Sequence, residues 1–296
     1  MKDSLSRKVF NIVNILVILF LCVIMVYPYL NQMAIAFNDS LDTSVGGVTI
    51  FPRVPTLVNF KKVFENERVT TGALVSVSRT VLGTLLSLAI TYCAAFALSD
   101  KNLKGRKFFN WFLSIPMYIS AGMIPTYILF KYLGLMNNFL VYILPATFSF
   151  YNMLIIRSYL EGLPESLEEA AKIDGANEFG IMLKVILPIS MPVIATVALW
   201  VAVGQWNDWT TTLYYVTEPK LYSLQYVMMQ IIKQSEAATQ IAAQGEGAVR
   251  SDQQIMTSSE SVQAAVLMVA TVPILVIYPF LQKYFIGGVT LGAVKG

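Results

Sequence analysis

The stretch EEAAKIDGANEFGIMLKVILPIS, Glu168 to Ser190, lies between two long apolar segments and carries six charged residues in its first 17 positions. What such a charged, alanine-rich, glycine-broken segment can do depends on the solvent of its neighbours. The chain of 296 residues is 56% hydrophobic and 13% charged, about half the charge of an average soluble domain. Windows free of Asp, Glu, Lys and Arg run from Val9 to Asn38, Thr80 to Ser99, Phe108 to Phe130, Tyr132 to Ile156, Val185 to Asn207 and Ser261 to Gln282, each at least 20 residues long. A helix rising about 1.5 Å per residue crosses roughly 30 Å of hydrocarbon in about 20 residues. The windows therefore predict six transmembrane helices, at about 10-33, 73-98, 108-130, 139-157, 189-207 and 262-282. Lipid offers no partner to a strand edge and the runs lack the alternation of a barrel. The expected fold is an all-α membrane protein forming a single domain over residues 1-296.

With the N-terminus inside, 12 of the 21 basic residues fall on the cytoplasmic side, among them Lys101, Lys104, Arg106, Arg157, Lys172 and Lys184. That bias predicts both termini, and the loop 158-188, in the cytoplasm, with Arg79 at the start of the second span. The basic start and Ala34 to Ala36 resemble a cleavable signal peptide, but the apolar run is about twice the usual 7 to 15 residues, so an uncleaved first span is the better reading. Cys22 and Cys93 both fall inside spans, as small apolar packing residues without a disulfide.

Outside the membrane, Asp39 to Gly72 reads as a short structured cap. In the second outer segment, LYSLQYVMMQII, Leu221 to Ile232, is too short to span and reads as a surface or interfacial helix. The polar run from Lys233 to Gln254 is a solvated hairpin or a contact surface; composition leaves both open.

Histidine is absent, which removes HExxH motifs and serine–histidine pairs, and no G-x-x-x-x-G-K-[ST] occurs to hold a nucleotide. The remaining signal is polar residues inside spans, each costly unless it faces protein or water. In the second span Ser76, Thr80, Thr84, Ser87 and Thr91 fall on one face, and helix packing is the better reading there. In the fourth, Tyr142, Pro145, Ser149 and Asn152 do likewise, with packing and a wet path standing level. The fifth span ends in GQWNDWTTTLYY, Gly204 to Tyr215. Gln205, Asn207 and Asp208 are groups that pair with sugar hydroxyls, and Trp206 and Trp209 could cover a pyranose, although anchoring at the interface explains the tryptophans better.

The opening stretch reads as helix, turn, helix. Ser166 and Glu169 have the spacing of a capping box, Gly175 suits a left-handed turn, and Asn177 can cap a second helix running to Pro188. EAAKIDG, Glu169 to Gly175, followed by VILP, Val185 to Pro188, resembles the EAA loop of ABC importer permeases, with Val where the pattern often has Ile. WNDW, Trp206 to Trp209, and QKYFIGGVTLGAVKG, Gln282 to Gly296, are similar to the maltose-transporter-like permease family, and the GAVKG ending to its complex-oligosaccharide branch.

The resemblance implies a carbohydrate importer in the bacterial plasma (inner) membrane. Two such permeases pair, two ATPase subunits use ATP and Mg, an extracytoplasmic solute-binding protein delivers the sugar, and this chain holds no cofactor, metal or nucleic acid. Its coupling helix between spans 4 and 5 would carry Glu169, Ala170, Ala171, Asp174 and Gly175 to the ATPase. Ser149, Asn152, Gln205, Asn207 and Asp208 would line the substrate path. An importer of a non-sugar solute, a passive channel and a receptor are the alternatives.

Overall fold

The computed structural model describes residues 5–243 and 259–293. Among them there is no β-strand, only an isolated bridge between Asn38 and Pro55. The helices are α1 Leu5–Ala36, α2 Ser40–Ser44, α3 Val58–Glu65, α4 Glu67–Ser99, α5 Arg106–Tyr118, α6 Met123–Tyr132, α7 Phe150–Leu160, α8 Ser166–Ile173, α9 Glu178–Gly180, α10 Leu187–Ile189, α11 Met191–Asn207, α12 Thr210–Tyr215, α13 Leu224–Ala243 and α14 Ser259–Ala293.

Three helical stretches, Arg7–Ala36, Glu67–Ser99 and Glu260–Ile277, are each long and apolar enough to cross a membrane. The other predicted spans are not the unbroken helices expected of them. They are bent pairs: Arg106–Tyr118 with Met123–Tyr132 at 114°, Phe139–Ala146 with Phe150–Leu160 at 46°, and Glu178–Ile189 with Met191–Asn207 at 81°. Each break has a local cause. Gly122 takes φ +83°, readily open to glycine. Ser149 is extended and caps α7 by accepting from Asn152 N. Pro188 and Pro192 flank Ser190 and lack the N–H that would continue the helical ladder.

By their contacts the residues form two compact units, Met1–Thr70 with Met228–Val272, and Thr71–Val227 with Pro273–Gly296. In the first, α1 buries none of its apolar window within the chain, the pattern of a helix whose solvent is lipid or another subunit. The segment after α1 forms the small cap expected. Buried Asn59 donates to the Ala36 and Asn38 carbonyls at 3.0 and 2.8 Å, satisfying the end of α1. Buried Asn38 donates to Asp42 Oδ2 at 2.8 Å and accepts from Val54 N at 2.8 Å.

In the second unit, one core joins α4, α7, α8, the Ile181–Ile186 turn and α11 around Tyr92, Met153, Ile156, Ala171, Ile181 and Val197. Ser76 accepts from Leu224 N at 2.9 Å, as helix packing predicts, whereas the buried hydroxyls of Thr80, Thr84 and Thr91 find no partner among the described residues. Cys22 and Cys93 are free but exposed, not packed inside, because lipid receives an apolar thiol as well as a core does. The helix expected over Leu221 to Ile232 begins at Leu224 and runs on to Ala243; Leu224 and Val227 are buried, so its start is held inside the unit and is not superficial. Gln244 to Gln254 of the polar outer run, and Val294 to Gly296 of the tail, lie outside the described residues.

Candidate functional site

Arg79 lies within the apolar length of α4 and is 2% exposed. An uncompensated charge there would be prohibitive, so its guanidinium must be consumed locally. Its Nε donates to Gln205 Oε1 at 3.1 Å, Nη1 to the Asp208 carbonyl at 2.9 Å and Nη2 to Asp208 Oδ2 at 2.6 Å. The guanidinium carbon also sits 4.3 Å from the centre of the Tyr142 ring. Gln205 donates from its amide to the Tyr142 carbonyl at 3.2 Å. The Tyr142 hydroxyl donates to the Leu221 carbonyl at 2.7 Å and meets Thr212 Oγ1 at 2.9 Å. Asp208 uses its other oxygen to cap α12, accepting from Thr210 N at 3.0 Å and Thr211 N at 3.1 Å. The knot ties α4 to the end of α11, and Gly83 permits the approach: a Cβ there would stand 2.9 Å from Gln205 Nε2.

Beside this knot is a cavity of about 360 Å³, lined by Ser87, Tyr142, Pro145, Ser149, Asn152, Gly204, Gln205, Asp208 and Thr211 with Arg79. Four of the five residues expected on a substrate path, Ser149, Asn152, Gln205 and Asp208, therefore meet here. Asn207, the last residue of α11, is exposed and does not line it. Tyr142, Pro145, Ser149 and Asn152 share the cavity wall although they lie on a broken segment and not on one helical face. Arg79 is the residue that sequence reasoning missed. Trp206 is buried and Trp209 is 36% exposed.

The charged stretch builds a second feature. The capping box expected of Ser166 and Glu169 does not form: Glu165 occupies the cap without a side-chain bond, and the first turn closes through Leu167 N to the Pro164 carbonyl at 3.2 Å and Glu168 N to the Glu165 carbonyl at 3.1 Å. Pro164 starts the helix one residue too early for the serine to cap it. Glu168 and Glu169 still sit in the first turn, where the helix dipole favours them. At the other end Ala176 N donates to the Ala171 carbonyl at 3.0 Å and Gly175 N to the Lys172 carbonyl at 3.0 Å, a Schellman closure with Gly175 at φ +78°.

Asn177 caps the next turn by accepting from Gly180 N at 2.8 Å, as expected. The helix beyond is not uniform. Ile181–Ile186 is π-helical, and the Tyr92 hydroxyl donates to the Met182 carbonyl at 2.8 Å inside that widened turn. Ala171 faces the core, while Glu169, Ala170, Asp174 and Gly175 are exposed. Ile173, 86% exposed, and Phe179, 65% exposed, leave two large apolar side chains open on this segment.

An apolar chain, helical throughout its described elements, with a cavity of mixed polar and apolar lining among its helices and a stiff, charged, glycine-closed helix outside them, is built as a membrane transport component. The chain belongs to the family described as the binding-protein-dependent transport system inner membrane component, whose model matches residues 9–291. It is thus an inner-membrane component working with a binding protein and an ATPase, not an enzyme. Protein LplC of Bacillus subtilis is 36% identical over 296 residues, covering 100% of this chain and 98% of that one. The polygalacturonan/rhamnogalacturonan transport system permease protein YtcP of Bacillus subtilis is 32% identical over 293 residues, 99% of this chain and 100% of that one. Among solved structures, a chain of a bacterial ABC transporter involved in the import of the acidic polysaccharide alginate matches with a TM-score of 0.85 and 26% identity, covering 96% of this chain and 99% of that one.

Proposed function

We propose that this chain is a permease subunit of an ATP-driven, binding-protein-dependent importer of an oligosaccharide or polysaccharide. It pairs with a second homologous permease, engages two ATPase subunits that use ATP and Mg, and receives sugar from an extracytoplasmic binding protein. Each of its three bent helix pairs makes one span, giving six, with both termini in the cytoplasm. The observation that carries the reading is α8. Its outward side combines Glu169 and Asp174 with exposed Ile173, and its Schellman turn fixes the direction of the chain that leaves it. A helix so closed can pass a displacement to the helices it joins.

In this mechanism the ATPase grips Glu169, Ala170, Asp174 and Gly175, while Ala171 seats α8 on the core. The substrate path runs past Ser149, Asn152 and Asp208, with Gln205 holding the wall behind them and Asn207 beyond it. The Asn152 side-chain amide has no hydrogen-bond partner among the described residues, whereas Arg79 and Gln205 are occupied with each other and with Tyr142 and Asp208. The sugar class draws support from the cargo named for YtcP and for the alginate transporter. In the reconstituted complex, ATP hydrolysis should rise with one group of glycans from a panel of neutral and acidic oligosaccharides. Stimulation by a non-sugar solute and by no glycan would overturn the carbohydrate reading.

A further inference from the structure

The chain reaches α8 through a stretch pinned by charge. Glu161, which closes α7, uses a single oxygen, Oε1, to accept from Arg106 Nη2 and to form an ion pair with Arg157 Nε at 3.2 Å. Each arginine has a second hold elsewhere. Arg106, the first residue of α5, donates from Nε to the Leu98 carbonyl near the end of α4 at 2.8 Å. Arg157 donates from Nη1 to Asn110 Oδ1 on α5 at 2.5 Å. The ends of α4, α5 and α7 thus meet at one carboxylate. A separate pair, Lys101 to Glu165 at 2.7 Å, ties the α4–α5 turn to the residue that begins α8.

Partly exposed ion pairs contribute little to stability, and the Glu161 side chain is 33% exposed. Their placement matters more than their strength. Leu98, Leu160 and Ala171 belong to the same buried cluster, with Leu103 and Leu163 packed on it, so α8 rests on an apolar seat whose rim is the charged pin. The apolar seat alone would let α8 slide or tilt, because dispersion contacts have no direction; the carboxylate ties together the ends of α4, α5 and α7 that frame the seat, four residues before Glu165 at the start of α8. Remove its charge and two guanidiniums are left side by side with a neutral partner.

We propose that Glu161 is a positioning residue for energy coupling, joining Arg106 and Arg157 into a pin through which displacement of α8 reaches α4 and α5. This rests on the reading of α8 as the ATPase-contacting helix. In the complete complex reconstituted in vesicles, Glu161→Gln should leave the subunits co-purifying and lower transport per ATP hydrolysed by about 2- to 30-fold, the span that residues along a coupling path command. Arg106→Gln should do the same, and the double variant should be no worse than the poorer single, because both remove one pin. Arg106→Lys, which keeps the charge but gives up the Leu98 carbonyl, should fall between.

An unchanged ratio in Glu161→Gln, additive losses in the double variant, or loss of the assembled complex in Glu161→Gln and Arg106→Lys alike would each overturn the inference. Glu169→Ala separates the two readings. If it costs ATPase association while Glu161→Gln leaves the ratio intact, α8 is still the contact helix and the pin is not used. If neither changes anything, both readings fall.

Discussion

Asp208→Asn tests whether the wall of the cavity is held by charge or only by shape. Asparagine keeps the outline of the side chain and an oxygen for Thr210 N and Thr211 N, so the cap on α12 survives. What disappears is the negative charge 2.6 Å from Arg79 Nη2, leaving a guanidinium whose side chain is 3% exposed. Breaking a buried pair costs about 3–5 kcal/mol. Asp208 is itself 22% exposed, and the Gln205 and Asp208 carbonyl oxygens go on accepting, so the low end, about 3 kcal/mol, applies. Arg79→Met leaves the carboxylate with its cap donors and orphans Gln205 Oε1, for about 1–3 kcal/mol. With both changes no buried charge remains, and the double variant should be more stable than Asp208→Asn by about 1 kcal/mol or more. Unfolding of the purified chain by SDS titration in detergent, run as a double-mutant cycle, reads all three values. Strict additivity, or an Asp208→Asn loss under about 0.5 kcal/mol, would refute the view that the pair is a buried electrostatic unit.

At Gly175 a Cβ would meet no atom within 4 Å, so replacement costs only the left-handed backbone. Gly175→Ala should lose about 1–2 kcal/mol and weaken ATPase co-purification, with Gly175→Asn recovering most of both. Gly83→Ala should cost about 1–3 kcal/mol in the same unfolding assay, because Gln205 is bonded at both ends of its amide and cannot swing away. The Asn38 amide, and after it Arg53, holds the Asp42 carboxyl below its usual value in the folded cap. A lowered folded value means the stabilisation is fully present above the unfolded pKa of about 3.9 and is lost as pH falls through the folded one. Exchange of the Val54 amide should therefore accelerate, relative to its intrinsic rate, below about pH 4 in the wild type, and not in Asp42→Asn. Reporters fused at Lys104 and Lys172 should read cytoplasmic; an external signal at either would reverse the proposed topology.

The helical, membrane-borne character of the chain is plain in its charge-free windows, because a long apolar run constrains solvent and secondary structure together. The breaks inside those runs are not. Pro116, Gly122, Pro145, Pro188 and Pro192 are all visible, yet proline and glycine are tolerated in membrane helices, so their presence does not say which will bend the chain. The Schellman turn is legible since Gly175 follows a short charged helix. The expected capping box does not form because α8 begins one position earlier than Ser166 would set it, with Glu165 at the cap behind Pro164. Arg79 reads as a flanking charge until its partner is known. That partner could have been found: Arg79 directly precedes one charge-free window and Asp208 directly follows another. In the expected topology both stand at the outer ends of their spans, at one depth and with opposite sign. Glu161 carries only half of such a mark: Arg157 stands four residues before it, but Arg106, and the Leu98 carbonyl that holds Arg106, are distant in sequence.

Broken helices and the cavity have a common physical origin. Backbone groups freed by a break cannot be left facing hydrocarbon; they must be covered by protein or lie against water. At Ser190 the cover is internal: the residue is fully buried, and its hydroxyl and N–H both donate to the Ile186 carbonyl, at 2.8 and 2.9 Å. Between Leu144 and Phe150 the exit is the cavity, whose lining includes Pro145, Ala146, Phe148 and Ser149. The break that interrupts the span therefore also supplies the wall where Asn152 is presented, and Ser149, by capping α7, sets the angle at which that amide leaves the helix. An unbroken helix over the same residues would satisfy its own backbone and close off that wall. The polar groups of the Phe139–Leu160 segment are tolerated because the helix is broken beside them: Tyr142 packs on Arg79, while Ser149 and Asn152 line the cavity that the break opens.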